Sequence, residues 1–138
     1  MGYVEKDFLM RYFNQLGIVL AKILGLKGKG KFEEAGQVIK DSFLDFGLKI
    51  PEEYLQINDS IFISEITGSD GLNKDQIKVL SELLFQKGDI ERLCGNEDSA
   101  RNYFSKTLIL LEYLTHLEKV FSFEREDRIK WINVYLSN

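Results

Sequence analysis

Residues 25–32, Gly-Leu-Lys-Gly-Lys-Gly-Lys-Phe, carry the G-x4-G-K spacing of a phosphate-binding loop. In such a loop the backbone N–H groups cradle the phosphates, the lysine neutralises them, and a following Ser or Thr hydroxyl holds magnesium after a strand. Here Phe32 stands at the hydroxyl position and the residues before Gly25 have helical spacing. The pattern therefore reads as an interhelical turn, and nucleotide hydrolysis is not expected. Lys27, Lys29 and Lys31 remain as positive charge beside a helix start, where an anion is favoured. His116 is the only histidine, which removes two-histidine metal motifs; with Glu112 and Tyr113 one turn away it reads as a surface residue rather than a catalytic base. Cys94 is the only cysteine, and beside Gly95 at a helix end nothing activates it, so a buried, inert thiol is expected. Glu33-Glu34 and residues 124–127 place acids in first turns, where they offset the helix dipole rather than form an acid–base pair. No catalytic residue, metal site or cofactor is expected.

A net charge of -4 argues against general nucleic-acid binding, which needs an excess of Lys and Arg on one face. One cysteine excludes an internal disulfide and fits a reducing compartment. The most apolar stretch, residues 16–26, includes Lys22 and is too short to span a bilayer. Glu5 and Asp7 stand where a secretory leader is basic. A cytoplasmic protein without membrane contact is the expectation.

These residues must be positioned by helices. The chain has 138 residues, one proline and many glycines, and its apolar residues recur three and four apart, so an all-α fold of about six antiparallel helices in one domain, residues 1–138, is predicted. The first helix spans about 4–26; it is apolar on most sides, which predicts burial by more than one neighbour. Its stripe Gly17, Ala21 and Gly25 implies close packing against the second helix or, alternatively, a symmetric contact with another copy. The second helix covers about 31–46 and stops at Gly47. Asp59 is read as the cap of a short helix over 61–66, preferred to a strand that would have no partner. Asn73 and Gln76 form a capping box opening a helix to about Leu93. The fifth helix runs over about 97–120 with Ala100, Phe104, Leu108, Leu111 and Leu114 inward, and Ser122 caps a last one with Ile129, Ile132 and Leu136 on its apolar side.

The chain repeats itself at a shift of 65 residues. Ile18-Val19-Leu20 meets Leu83-Leu84-Phe85, Lys22 meets Lys87, Gly30 meets Gly95, Ala35 meets Ala100, Ile39 meets Phe104, Ser42 meets Thr107 and Phe46 meets Leu111. Hairpins of this kind bury their apolar faces by stacking. Residues 95–108, with Gly95, Ala100, Phe104 and Thr107, resemble the second-helix signature of the tetratricopeptide repeat (TPR), and Gly30, Phe32 and Ala35 resemble its start. At the first-helix pattern W-x2-L-G-x2-Y stand Leu84, Lys87, Gly88 and Glu91, and in the first hairpin Val19, Lys22, Ile23 and Leu26. The resemblance implies stacked hairpins, small residues at helix crossings, and a non-catalytic interaction or scaffold module with a protein partner. A small enzyme or ligand-binding protein with a pocket between hairpins, and a self-associating structural protein, are the alternatives. It further implies an inner groove lined by Gly17, Leu20, Leu24 and Lys27 in one hairpin and Glu82, Phe85, Asp89 and Arg92 in the other, unless Leu20, Leu24 and Phe85 are simply core.

Ile109, Tyr113 and Val120 follow one another along another side of the fifth helix, with His116 between them. Three apolar residues in line imply a covered surface. Either a second copy forms a dimer there, or the last helix, with Trp131 and Tyr135, folds back over them.

Overall fold

The computed structural model describes residues 2–138, and the side chains from Asp7 onward, so the side chain of Glu5 lies outside the described residues. All described elements are helical: α1 (Gly2–Gly28), α2 (Phe32–Asp45), α3 (Pro51–Leu55), a 3-10 turn (Asp59–Ile61), α4 (Phe62–Thr67), α5 (Lys74–Leu93), α6 (Glu97–Glu118) and α7 (Phe123–Ser137). The fold is all-α, with seven α-helices rather than six and no strand among the described residues.

The glycine-lysine loop is a helix stop. Gly30 has φ +73°, its N–H donates to the Lys27 carbonyl at 3.0 Å, and the Lys31 N–H donates to the Leu26 carbonyl at 2.9 Å. Gly95 does the same: φ is +83°, its N–H reaches Arg92 at 3.1 Å, and that of Asn96 reaches Glu91 at 2.9 Å. Both are Schellman caps, which need a residue at home in the left-handed region. The backbone N–H groups that would hold a phosphate at Gly30 and Lys31 are spent on carbonyls of α1. We expect no magnesium-dependent ATP or GTP turnover; turnover that disappears in Lys31→Ala would falsify this.

The second helices of the two hairpins have equivalent environments at the repeated positions, whereas the first helices do not: Ile18 is exposed where Leu83 is fully buried. Ala35 and Ala100 are fully buried, as are Ile39 and Phe104, and Phe46 and Leu111 are buried as well. Ser42 and Thr107 are buried and each donates its hydroxyl one turn back, to Val38 at 2.7 Å and Tyr103 at 2.9 Å. The repeat is thus a repeat of packing and not of composition alone. The hairpins join where α2 meets α5, and α7 packs on α6.

The helix covered on most sides is α5, not α1. Ile77, Leu80, Leu83, Leu84 and Ile90 are all buried on α5, whereas among its described side chains α1 buries only Ile23 fully and half-buries Leu16, Val19 and Leu20. Met10, Ile18 and Leu24 are exposed. The Gly17, Ala21 and Gly25 stripe also faces outward, and a Cβ at Gly17 or Gly25 would meet nothing within 4 Å. It does not contact α2, because α2 packs on the opposite, larger side chains of α1. Close approach occurs instead at Gly88, where a Cβ would lie 3.0 Å from the Phe104 ring.

Three further expectations are corrected. Pro51 opens an additional helix, α3, after extended Ile50. Asn58, not Asp59, caps the turn that leads into α4, accepting from the Ser60 N–H at 3.0 Å, and Asp59 turns away to pair with Lys106 on α6. Cys94 is exposed, because as the C-cap just past Leu93 it belongs to the turn rather than to either packed face. The Asn73–Gln76 capping box is present in both directions at 2.9 Å, and the Ser122 hydroxyl accepts from the Arg125 N–H at 3.3 Å.

Candidate partner-binding site

The expected groove residues lie on α1 and α5, and α7 joins them. Asp89, on α5, accepts from three directions: Lys27 Nζ lies 2.7 Å away, Arg92 Nη2 2.7 Å and Arg92 Nε 2.9 Å. Lys27 also donates to Gln86 Oε1 at 2.8 Å. Burial pushes the Asp89 carboxyl up, but the hydrogen bonds and charges of Lys27 and Arg92 outweigh it and hold the group below the usual range. Lys27 and Arg92 are equivalent in the 65-residue repeat, so a single carboxylate is clasped by the same position of both hairpins.

The other groove positions divide. Leu20 is half-buried against the main core, whereas Gly17 and Leu24 are exposed, Leu24 by 53%. Glu82 pairs with Arg128 of α7, whose guanidinium lies 4.0 Å over the Phe85 ring. Phe85 also meets the Trp131 ring at 5.7 Å, and Arg92 lies 5.6 Å over Trp131. The last helix therefore covers Glu82 and Phe85, leaving Trp131 40% exposed. Sequence reasoning missed Arg128 and gave Trp131 a different place. The Arg128, Trp131 and Tyr135 spacing of three and four, which stacks them on one face, was the available signal.

The second aromatic layer explains where α7 goes. Phe104 meets Trp131 at 5.2 Å and Tyr135 at 5.0 Å, and Ile132 is fully buried beside Ala100 and Leu111. Arg101 donates to the Tyr135 and Leu136 carbonyls, satisfying the helix end. At its start, Glu118 binds Lys78 at 2.7 Å and Arg125 closely; these hydrogen bonds hold its carboxyl down to about 2. A cleft of about 360 Å³ between α5 and α7 includes Lys78, Arg125 and Arg128, but each cation already faces a glutamate. That cleft is a structural lock.

The proposed stripe on α6 is not a continuous outer surface. Ile109 and Tyr113 are half-buried against the main core, since the α3–α4 segment packs on α6. His116 is exposed as expected, and Val120 lies beyond the helix end at Glu118. The last helix covers Phe104 and Phe85 rather than this stripe. Among the described residues no three His, Cys, Asp or Glu side chains gather to hold a metal, and no helix is long and apolar enough to cross a membrane.

Comparison of the chain with family models, curated proteins and solved structures finds no match. The site must be judged on its own chemistry. Of these side chains Leu24 and Trp131 are exposed and Arg92 partly so, while Asp89 is buried beneath its partners Lys27 and Arg92.

Proposed function

We propose that this chain is a non-catalytic protein-interaction module built from two TPR-like hairpins, α1–α2 and α5–α6, and closed by α7 as a further first helix. The observation that carries this reading is the match between the two glycine caps and between the second helices that follow them, in buried alanines and back-bonded hydroxyls. Gly88 supports it too, standing at the glycine of the TPR first-helix pattern and at the closest approach to the second helix. In this reading α1, α5 and α7 line the inner face and a protein segment lies across Leu24, the Lys27–Asp89–Arg92 centre and Trp131. An exposed single thiol, Cys94, fits a partner met in a reducing compartment such as the cytoplasm.

The test uses one substitution at an exposed side chain of α1, Leu24, and one at Trp131, whose ring also packs on the Phe104 layer. Leu24→Asp and Trp131→Ala are expected to lose a partner that the wild-type chain captures from cells, by at least about tenfold in affinity, because apolar anchors dominate such interfaces. Circular dichroism should be unchanged for Leu24→Asp. Capture of the same partner by both variants would move the site off this face.

A further inference from the structure

One end of the bundle carries both a projection and a recess. Between α6 and α7 the chain exposes Val120 by 68%, Phe121 by 67% and Phe123 by 77%, with the two rings edge to face at 4.7 Å. Lys119 precedes them in the left-handed region at φ +56°, exposed and without an ion partner among the described residues. Three large apolar side chains within four residues at this exposure are not needed by the fold, since the core of α7 rests on Ile132 and the Phe104 layer.

The recess is an open cleft of about 410 Å³ where α1 begins, α2 ends and α5 begins. Its apolar wall is Phe8, Leu9, Tyr12 and Phe46, with Tyr12 edge-on to Phe46 at 5.2 Å. Its rim holds Asp45 and Asp75, neither of which has an ion partner among the described residues. The Tyr12 hydroxyl makes no hydrogen bond within the described chain.

Projection and recess lie on the same end. The start of α5 lines the recess, and the Lys78–Glu118–Arg125 contacts bring the end of α6 and the start of α7 to that same part of α5. We infer that this end is a self-association surface, on which Phe121 and Phe123 of one copy enter the Phe8, Tyr12 and Phe46 recess of a second copy. The charges agree: Lys119 meets Asp45 and Asp75, while Glu124 lies on the opposite side, lining the α5–α7 cleft. Because both parts sit on one end, a twofold axis lets each copy give and receive, and the contact closes at two copies. This inference is independent of the inner-face reading, which uses other residues.

The experiment is light scattering after size exclusion across a range of concentrations. The wild-type chain should reach twice the 16.0 kDa monomer mass. Phe121→Asp should remain monomeric with an unchanged helical spectrum, and Lys119→Glu should weaken the dimer at least about tenfold, as for a close interfacial charge pair. Adding Asp45→Lys and Asp75→Lys to Lys119→Glu should restore it, whereas Leu24→Asp on the inner face should dimerise normally. A wild-type chain that stays monomeric at every concentration overturns the inference, as does a dimer that survives Phe121→Asp or a charge reversal that restores nothing. Failure here leaves the inner-face partner test standing.

Discussion

Replacing Ala100 with leucine is expected to lower stability by about 1–3 kcal/mol, the usual cost of overpacking a filled core. Ala100 is fully buried between Phe104, Leu111 and Ile132, in the layer that binds α7. The extra carbons must displace the Phe104, Leu111 and Ile132 side chains of that layer, and the Phe104 ring is itself braced by Trp131 at 5.2 Å and Tyr135 at 5.0 Å. Gly88→Ala is the companion test, because two effects oppose each other. Alanine gains about 1 kcal/mol in helix propensity over glycine. Against this, its Cβ would lie 3.0 Å from two Phe104 ring atoms and 3.1 Å from the Tyr103 Cβ. Phe104 cannot retreat, since Trp131 and Tyr135 stand against its ring, so the net effect is destabilising. Chemical denaturation followed by circular dichroism reads both variants. Unchanged midpoints for Ala100→Leu, or a stabilised Gly88→Ala, would show that the α5–α6 crossing is looser than described.

Those two residues also show how much was legible beforehand. Ala100 was visible because it recurs at Ala35 in the same place relative to a glycine cap, and repetition turns an ordinary small residue into a positional signal. Gly88 was placed at the glycine of the first-helix pattern but not tied to a close crossing, because in the first hairpin its place is taken by Ile23. Signals carried by neighbouring residues were reliable: the Asn73–Gln76 box, the Ser122 cap and the glycine stops all involve partners within six positions. What could not be read was which apolar face meets which neighbour. The first helix is apolar on most sides, yet only one side of it finds a partner within the chain. The groove was half legible: the spacing picked Lys27, Asp89 and Arg92, which do meet, but it could not foresee that α7 would take Glu82 and Phe85. Asp59 misled for a related reason. A side chain at a helix start reads as a cap locally, but a lysine 47 positions away made the stronger claim on it.

That pairing yields the second large effect, the loss expected from Asp59→Ala. Lys106 is 2% exposed on α6, lies 5.4 Å over the Phe62 ring, and has Asp59 as its carboxylate partner. Ser105 adds a 2.7 Å hydrogen bond to the other Asp59 oxygen. Removing one member of a fully buried pair costs about 3–5 kcal/mol, because the remaining charge stays desolvated. The Asp59 side chain is 48% exposed, so water can enter in its place and the expected loss falls to about 2 kcal/mol. Lys106→Met in the same background should recover most of it, since an apolar chain of similar length needs no counter-charge. The pH dependence follows from the carboxylate. Burial raises the Asp59 group, but hydrogen bonds from Lys106 and Ser105 and the Lys106 charge outweigh this and leave it below its ordinary value. A carboxylate lowered on folding contributes fully above its unfolded value, about 3.9, and the contribution is lost as pH falls through the lower folded value. The gap between wild type and Asp59→Ala should therefore be constant near neutral pH and shrink below about pH 4. Equal denaturation midpoints at pH 7, or no recovery in the double variant, would mean that Lys106 finds its partner elsewhere and that the α3–α4 segment is held on α6 by Phe62 and Ile66 alone.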